Sequence, residues 1–152
     1  MRKPWLLTAV IGLTCALAGT ALAQADGAAV YLRCFGCHTA TGAGIPGTFP
    51  PLAGHAAELV KADRSYPVKV ILYGLAGEIE VGGKKYNGKM PGLGDQLKDD
   101  EISAVLNHIL SRWGNEKALP KGHKEFTAAE VKAQRAKKLT GEQVLGARPK
   151  LK

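Results

Sequence analysis

Residues 34–38 read Cys-Phe-Gly-Cys-His: two thiols separated by two residues, with an imidazole directly after the second. Three chemistries use such a pair: a redox dithiol, part of a zinc site, or covalent attachment of a haem. Beyond the first 23 residues, Cys34 and Cys37 are the only cysteines and Met90 is the only methionine. A structural zinc ion needs four soft ligands. Here no second Cys-x-x-Cys follows, and His55, His108 and His123 are scattered along the chain. A thioredoxin-like dithiol sits among alternating strands and helices, and the patterning of this chain is helical with one short hairpin.

Haem attachment has a mechanical basis. Two thiols about one helical turn apart can form thioethers with two vinyl groups on a porphyrin edge. The adjoining His38 is then carried beneath the iron as proximal ligand. Met90 is the available thioether for the opposite side. It lies in "NGKMPGLG" (87–94), read as a Gly/Pro loop rather than an apolar helix face, where a lone methionine would serve as core filler. Pro91 stiffens that loop. Ligation by His and Met raises the reduction potential and leaves no open position on iron, which favours electron transfer over catalysis.

The elements that must position these residues follow from periodicity. "GAAVYLR" (27–33) predicts a short helix running into the cysteines, and 39–55 a Gly/Pro-punctuated loop. Residues 56–62 and 67–75 suggest two further helices, the second begun by Pro67 in its first turn. Ile79 and Val81 alternate with charges, and Gly82-Gly83 suits a tight turn before Lys85, Tyr86 and Asn87. The clearest helix carries Ile102, Val105, Leu106, Ile109, Leu110 and Trp113 on one stripe. Asp99, Asp100 and Glu101 suit its positive end, and Gly114-Asn115 is expected to close it.

The ends differ in character. Arg2 and Lys3, an apolar run from Trp5 to Ala18, and Ala21-Leu22-Ala23 form a secretory signal over residues 1–23, with cleavage after Ala23 or Ala25. An uncleaved anchor is the alternative, and Cys15 leaves with the signal. The expected location is the periplasm, with no integral span after processing. The formal charge is +8, but residues 24–115 carry nine basic and nine acidic side chains. Residues 116–152 carry ten basic and four acidic ones, so the basicity belongs to a C-terminal extension. Without interleaved aromatics in an exported chain, that excludes nucleic acid as the natural reading. An acidic redox protein surface, or peripheral contact with an anionic membrane, fits better.

The extension holds a repeat at a thirteen-residue offset, "FTAAEVKAQR" (126–135) and "LTGEQVLGAR" (139–148). In each, an apolar residue precedes Thr, and Glu or Gln lies three residues after it. That is a capping box with a hydrophobic staple, written twice. Two short helices joined by "AKK" are expected on the surface of the main domain, against the alternative of a disordered basic tail.

Taken together, "CFGCH", "FPPLAGH" (49–55), "YNGKMPG" (86–92) and a last helix ending in Trp113 resemble a class I c-type cytochrome, a single-haem periplasmic bacterial cytochrome c, over residues 26–115. The resemblance implies an all-α fold of 4–5 helices around one covalent haem c, with a small β-hairpin insertion and a short helical extension. It implies thioethers at Cys34 and Cys37 and axial iron ligands His38 and Met90. It also implies that Pro51, in the Pro-Leu loop, offers its carbonyl to the His38 imidazole, and that Trp113 packs across the first helix. Where the family has an aromatic four residues before the first cysteine, this chain has Val30, and Tyr31 lies three before it. Which of the two meets Trp113 is left open.

The implied function is carriage of single electrons between a dehydrogenase or quinol-oxidising complex and a terminal oxidase or reductase, not an enzymatic reaction. Two alternatives are a permanent cytochrome subunit of a periplasmic dehydrogenase, bound through residues 116–152, and a haem enzyme or gas sensor with labile Met90. His55 is expected to hydrogen-bond within its loop, and His108 and His123 to be solvated. Lys84, Lys85 and Lys89 form either a solvated face or a docking rim.

Overall fold

The computed structural model describes residues 24–151. The signal segment expected over residues 1–23 therefore lies outside the described residues. The first helix, α1 (Gly27–Tyr31), starts where the Asp26 carboxylate accepts a hydrogen bond from the Ala28 N–H at 2.9 Å. The chain turns once and forms α2 (Phe35–His38), which carries the second thiol and the imidazole. A long loop leads to α3 (Ala56–Ala62) and α4 (Tyr66–Tyr73). Helix α4 ends two residues earlier than its apolar pattern suggests, because residues 74 and 75 already belong to a strand.

That strand, β1 (Gly74–Val81), pairs antiparallel with β2 (Lys84–Pro91), in a register that sets Val81 opposite Lys84 and Leu75 opposite Met90. Gly82 and Gly83 both have positive φ, 57° and 73°, as a two-residue hairpin turn matched to strand twist demands. The hairpin is longer than the alternation around Ile79 indicated. It puts Met90 on a strand, not in the expected loop.

Helix α5 (Asp99–Leu110) is the backbone of the main core. Its first turn is capped by the Glu101 carboxylate, which accepts from the Lys98 N–H at 2.8 Å. Helix α1 crosses α5 so closely that a Cβ on Gly27 would collide with the Ala104 carbonyl. Trp113 lies past the helix end in a left-handed conformation, φ 56°, rather than on its last turn. From there its ring meets Tyr31, with centroids 5.1 Å apart, while Val30 packs into the core beneath. His108 is half-buried against Tyr31, centroids 5.5 Å apart, and is not the solvated residue expected. His123 is also half-buried, its Nδ1 accepting from Arg64 at 3.3 Å.

The chain does not close at Asn115. That residue opens α6 (Asn115–Ala118), and its fully buried amide ties three segments together. It accepts from the Ala57 N–H at 3.2 Å and donates to the Leu52 and Ile109 carbonyls at 3.0 and 3.1 Å. The repeat then forms α7 (Ala128–Arg135) and α8 (Gly141–Gly146), each opened by a reciprocal cap, Thr127 with Glu130 and Thr140 with Gln143. Among the described residues there are thus eight helical segments: five, α1–α5, before residue 111, within the 4–5 expected for the main domain, and three in the extension, where two were expected.

The extension packs more deeply than a surface appendage. Phe126 and Val131 join the main core, while Val144 completes a second core with Tyr66, Leu75, Ile79, Val81 and Tyr86. Val131 and Val144 are both 0% exposed. Arg135 pairs with Asp99 at 2.7 Å and donates to the Gly94 and Leu97 carbonyls. Arg64 lies over the Phe126 ring at 4.0 Å and pairs with Glu130 at 2.8 Å. No helix among the described residues is long and apolar enough to cross a membrane.

Candidate functional site

Two helical turns and a strand bring the chemistry-bearing residues together. The backbone N–H groups of Cys37 and His38 both donate to the Cys34 carbonyl, at 3.2 and 2.9 Å, so the two thiols stand one turn apart. Both thiols are half-buried and unbridged. Burial, then the neighbouring Cys37, pushes the Cys34 thiol above its ordinary pKa, so it keeps its proton at neutral pH.

The His38 ring is buried, and its Nδ1 lies 3.0 Å from the Pro50 carbonyl. A carbonyl can only accept, so Nδ1 carries the proton and Nε2 is left with its lone pair free for a metal. Burial lowers the pKa of this imidazole, and the bond to Pro50 works in the other direction. The acceptor is Pro50, which corrects the expectation of Pro51. A residue before proline is held extended, and successive carbonyls of an extended segment alternate in direction, so one of the pair faces the ring. The loop is pinned beside it by the Leu52 and Ala53 N–H groups, which both donate to the Gly42 carbonyl.

Cys34, Cys37, His38 and Met90 all line one cavity. Its walls come from Leu52 in the loop, Val70 and Ile71 of α4, Leu75 and Ile79 of β1, Leu93, and Val105, Leu106 and Ile109 of α5. Met90 reaches it because β2 alternates: Tyr86 and Met90 share a face, and Lys85 and Lys89 point outward. A flat apolar ring with an iron at its centre fits this donor set. Thiols stand at one edge, an unprotonated imidazole nitrogen on one side, and a thioether on the element opposite. Among the described residues no three His, Cys, Asp or Glu side chains gather as a separate metal site.

His55 bonds locally as expected and also lines the cavity, whereas Arg148 and the buried Tyr66 beside it escaped the sequence reading. His55, at the start of α3, lines the cavity with Nδ1 bonded to Glu58 at 3.0 Å. Arg148 reaches the same wall from the far end of the chain. Tyr66, beside Arg148, is wholly buried. The capping repeat predicted α8, but nothing in the repeat marks the arginine after it as facing inward.

Next to the exposed side of this edge, Leu32 is 72% and Phe35 is 50% exposed. They bracket Cys34 in an apolar rim. Lys84, Lys85 and Lys89 are solvated, with Lys85 paired to Glu78 at 2.9 Å.

The family model described as Cytochrome c matches residues 24–113. The chain is 60% identical over 137 residues to a cytochrome c-552 of Thermus thermophilus, covering 89% of this chain and 91% of that protein. A second cytochrome c-552 from Thermus thermophilus is 59% identical, across 84% of this chain and 98% of its own length. The cytochrome c subunit of a quinone alcohol dehydrogenase from Gluconobacter oxydans is 33% identical over 90 residues, 59% of this chain but 18% of the subunit.

Proposed function

We propose that this chain, which belongs to the cytochrome c family and carries one covalently attached haem c, is an exported electron carrier with His38 and Met90 as axial ligands. The haem supplies a one-electron iron couple. Convergence of Cys34, Cys37, His38 and Met90 on one apolar cavity carries the reading. Cys34 and Cys37 would hold the group covalently, each S–H bond and vinyl double bond being exchanged for S–C and C–H single bonds with no change in electron count. The Pro50 carbonyl holds the imidazole in the tautomer that ligates through Nε2 and makes it a stronger donor. The apolar walls exclude water and favour the less charged, reduced form, which keeps the potential high.

Electrons leave through the edge at Cys34, where Leu32 and Phe35 offer an apolar contact to a redox partner. The donor is a dehydrogenase or quinol-oxidising complex and the acceptor a terminal oxidase or reductase, met in the periplasm after the signal is removed. The extension weighs against its use as an arm that binds a dehydrogenase subunit. Arg135 is already paired with Asp99, and Phe126, Val131 and Val144 are buried in this chain's own cores. The test is exposure of the reduced holoprotein to carbon monoxide. Unchanged absorption and a single one-electron wave in potentiometric titration support a carrier. Ready binding supports instead a haem enzyme or gas sensor with labile Met90.

A further inference from the structure

Past the end of α5 the chain takes a turn that its residue types do not favour. Trp113 and Gly114 both have positive φ, 56° and 84°, and a bulky residue persists in the left-handed region only where its surroundings hold it there. The turn delivers two side chains to the loop behind His38. The Trp113 ring packs on Gly42 so closely that a Cβ there would collide with it. The Gly42 carbonyl in turn accepts from the Leu52 and Ala53 N–H groups at 2.7 and 3.0 Å. The buried Asn115 amide donates to the Leu52 carbonyl at 3.0 Å, alongside the His55 and Ala56 N–H groups. Leu52 is therefore clamped at both of its peptide groups. Asn115 is itself fixed to α3 and α5 through the Ala57 N–H and the Ile109 carbonyl.

Just before Leu52, the Pro50 carbonyl accepts the His38 Nδ1 proton at 3.0 Å. Pro51 stands between them, and its ring locks the one φ that separates the Pro50 carbonyl from the clamped residue. The direction of that carbonyl is thus passed on from Leu52 with little slack. We infer that Asn115 is a positioning residue for the axial imidazole: by holding Leu52 it keeps the Pro50 carbonyl on Nδ1, and so sets how strongly Nε2 donates to iron. The inference rests on the haem reading above and deepens it. Asn115 lies beyond the family match, which ends at residue 113, so this adjustment comes from outside the matched segment. A weaker bond to Pro50 makes the imidazole a poorer donor, which destabilises ferric iron and raises the midpoint potential. Mere loosening of the fold works the other way, because water admitted to the apolar cavity favours the more charged, oxidised form.

The test compares the holoproteins of the parent chain, Asn115→Ala and Val131→Ala. The last is a control for lost stability, its side chain being buried in the main core away from the cavity lining. Covalent haem is confirmed first by its absorption in the denatured protein. In proton NMR of the reduced form, the His38 Nδ1 resonance should move upfield in N115A, as a lengthened hydrogen bond requires, and the midpoint potential should rise. Both should stay at the parent values in V131A. Native-state hydrogen exchange of the parent gives a second reading that survives an Asn115→Ala chain unable to fold. There the Asn115 side-chain amide and the His38 Nδ1 proton should be exposed by the same opening. A parent chain without covalent haem would overturn the haem reading itself. With covalent haem in place, three results would overturn the positioning role alone: a resonance and potential unmoved in N115A, a potential that falls, or His38 exchange through an opening that leaves the Asn115 amide protected.

Discussion

Asn115 shows how much one buried polar side chain can organise. Its amide satisfies the Ala57 N–H and the Leu52 and Ile109 carbonyls, and so joins α3, the loop behind His38, and the end of α5. Asn115→Ala leaves those groups buried and unpaired, for a cost of about 3 kcal/mol. Denaturant unfolding of the holoprotein should show that loss, and a loss below about 1 kcal/mol would mean that water or relaxation replaces the amide. From the sequence, Gly114-Asn115 reads only as a helix terminator. Its long-range partners lie up to 63 residues away, and local patterning has no access to them. The same holds for Arg148, indistinguishable in sequence from the other cations of a basic tail. Pro50 against Pro51 is a finer case: the loop was legible, but the direction of a carbonyl depends on backbone angles that residue types do not determine. By contrast Cys34, Cys37, His38 and Met90, which the structure brings to one cavity, could be singled out in the sequence because few other residue types offer a thiol, an imidazole or a thioether.

At the scale of elements, the twice-written capping box fully specified two helix starts, and the structure has both. What the repeat concealed was burial. Val144→Ala removes two methyl-sized groups from the second core and should cost about 2 kcal/mol, measurable as a lower unfolding midpoint. A surface helix would lose almost nothing. The Glu130 carboxylate is held below its ordinary pKa, chiefly by Arg64 and further by Thr127, against a smaller opposing effect of burial. Its folded pKa is therefore depressed, so its stabilisation is present above the unfolded value and fades as pH falls through the folded one. Glu130→Ala should cost about 1 kcal/mol at pH 7, a modest figure because the pair is partly exposed. The difference from the parent chain should shrink below the ordinary carboxylate range. A difference constant down to pH 3 would show that the cap, not the charge, matters. Met90 belongs here too. Reading "NGKMPGLG" as a loop missed the strand because Gly and Pro obscure its alternation, while the pairing of Leu75 with Met90 restores it.

For the molecule as a whole, haem domain and extension share two cores, and the neutral charge of residues 24–115 leaves the apolar rim at Cys34 as the distinctive contact surface. Electron self-exchange between oxidised and reduced copies probes that rim without a partner. Leu32→Gln with Phe35→Gln should slow it about tenfold, equivalent to roughly 1.4 kcal/mol of lost apolar contact, and an unchanged rate would move the electron exit elsewhere. The most direct test concerns the axial pair proposed for this chain, His38 and Met90. In the oxidised holoprotein, absorption should include the far-red charge-transfer band of a thioether bound to ferric iron, and Met90→Ala should abolish it while the covalent haem remains. Absence of that band from the parent chain, or its survival in the Met90→Ala variant, would contradict ligation by Met90.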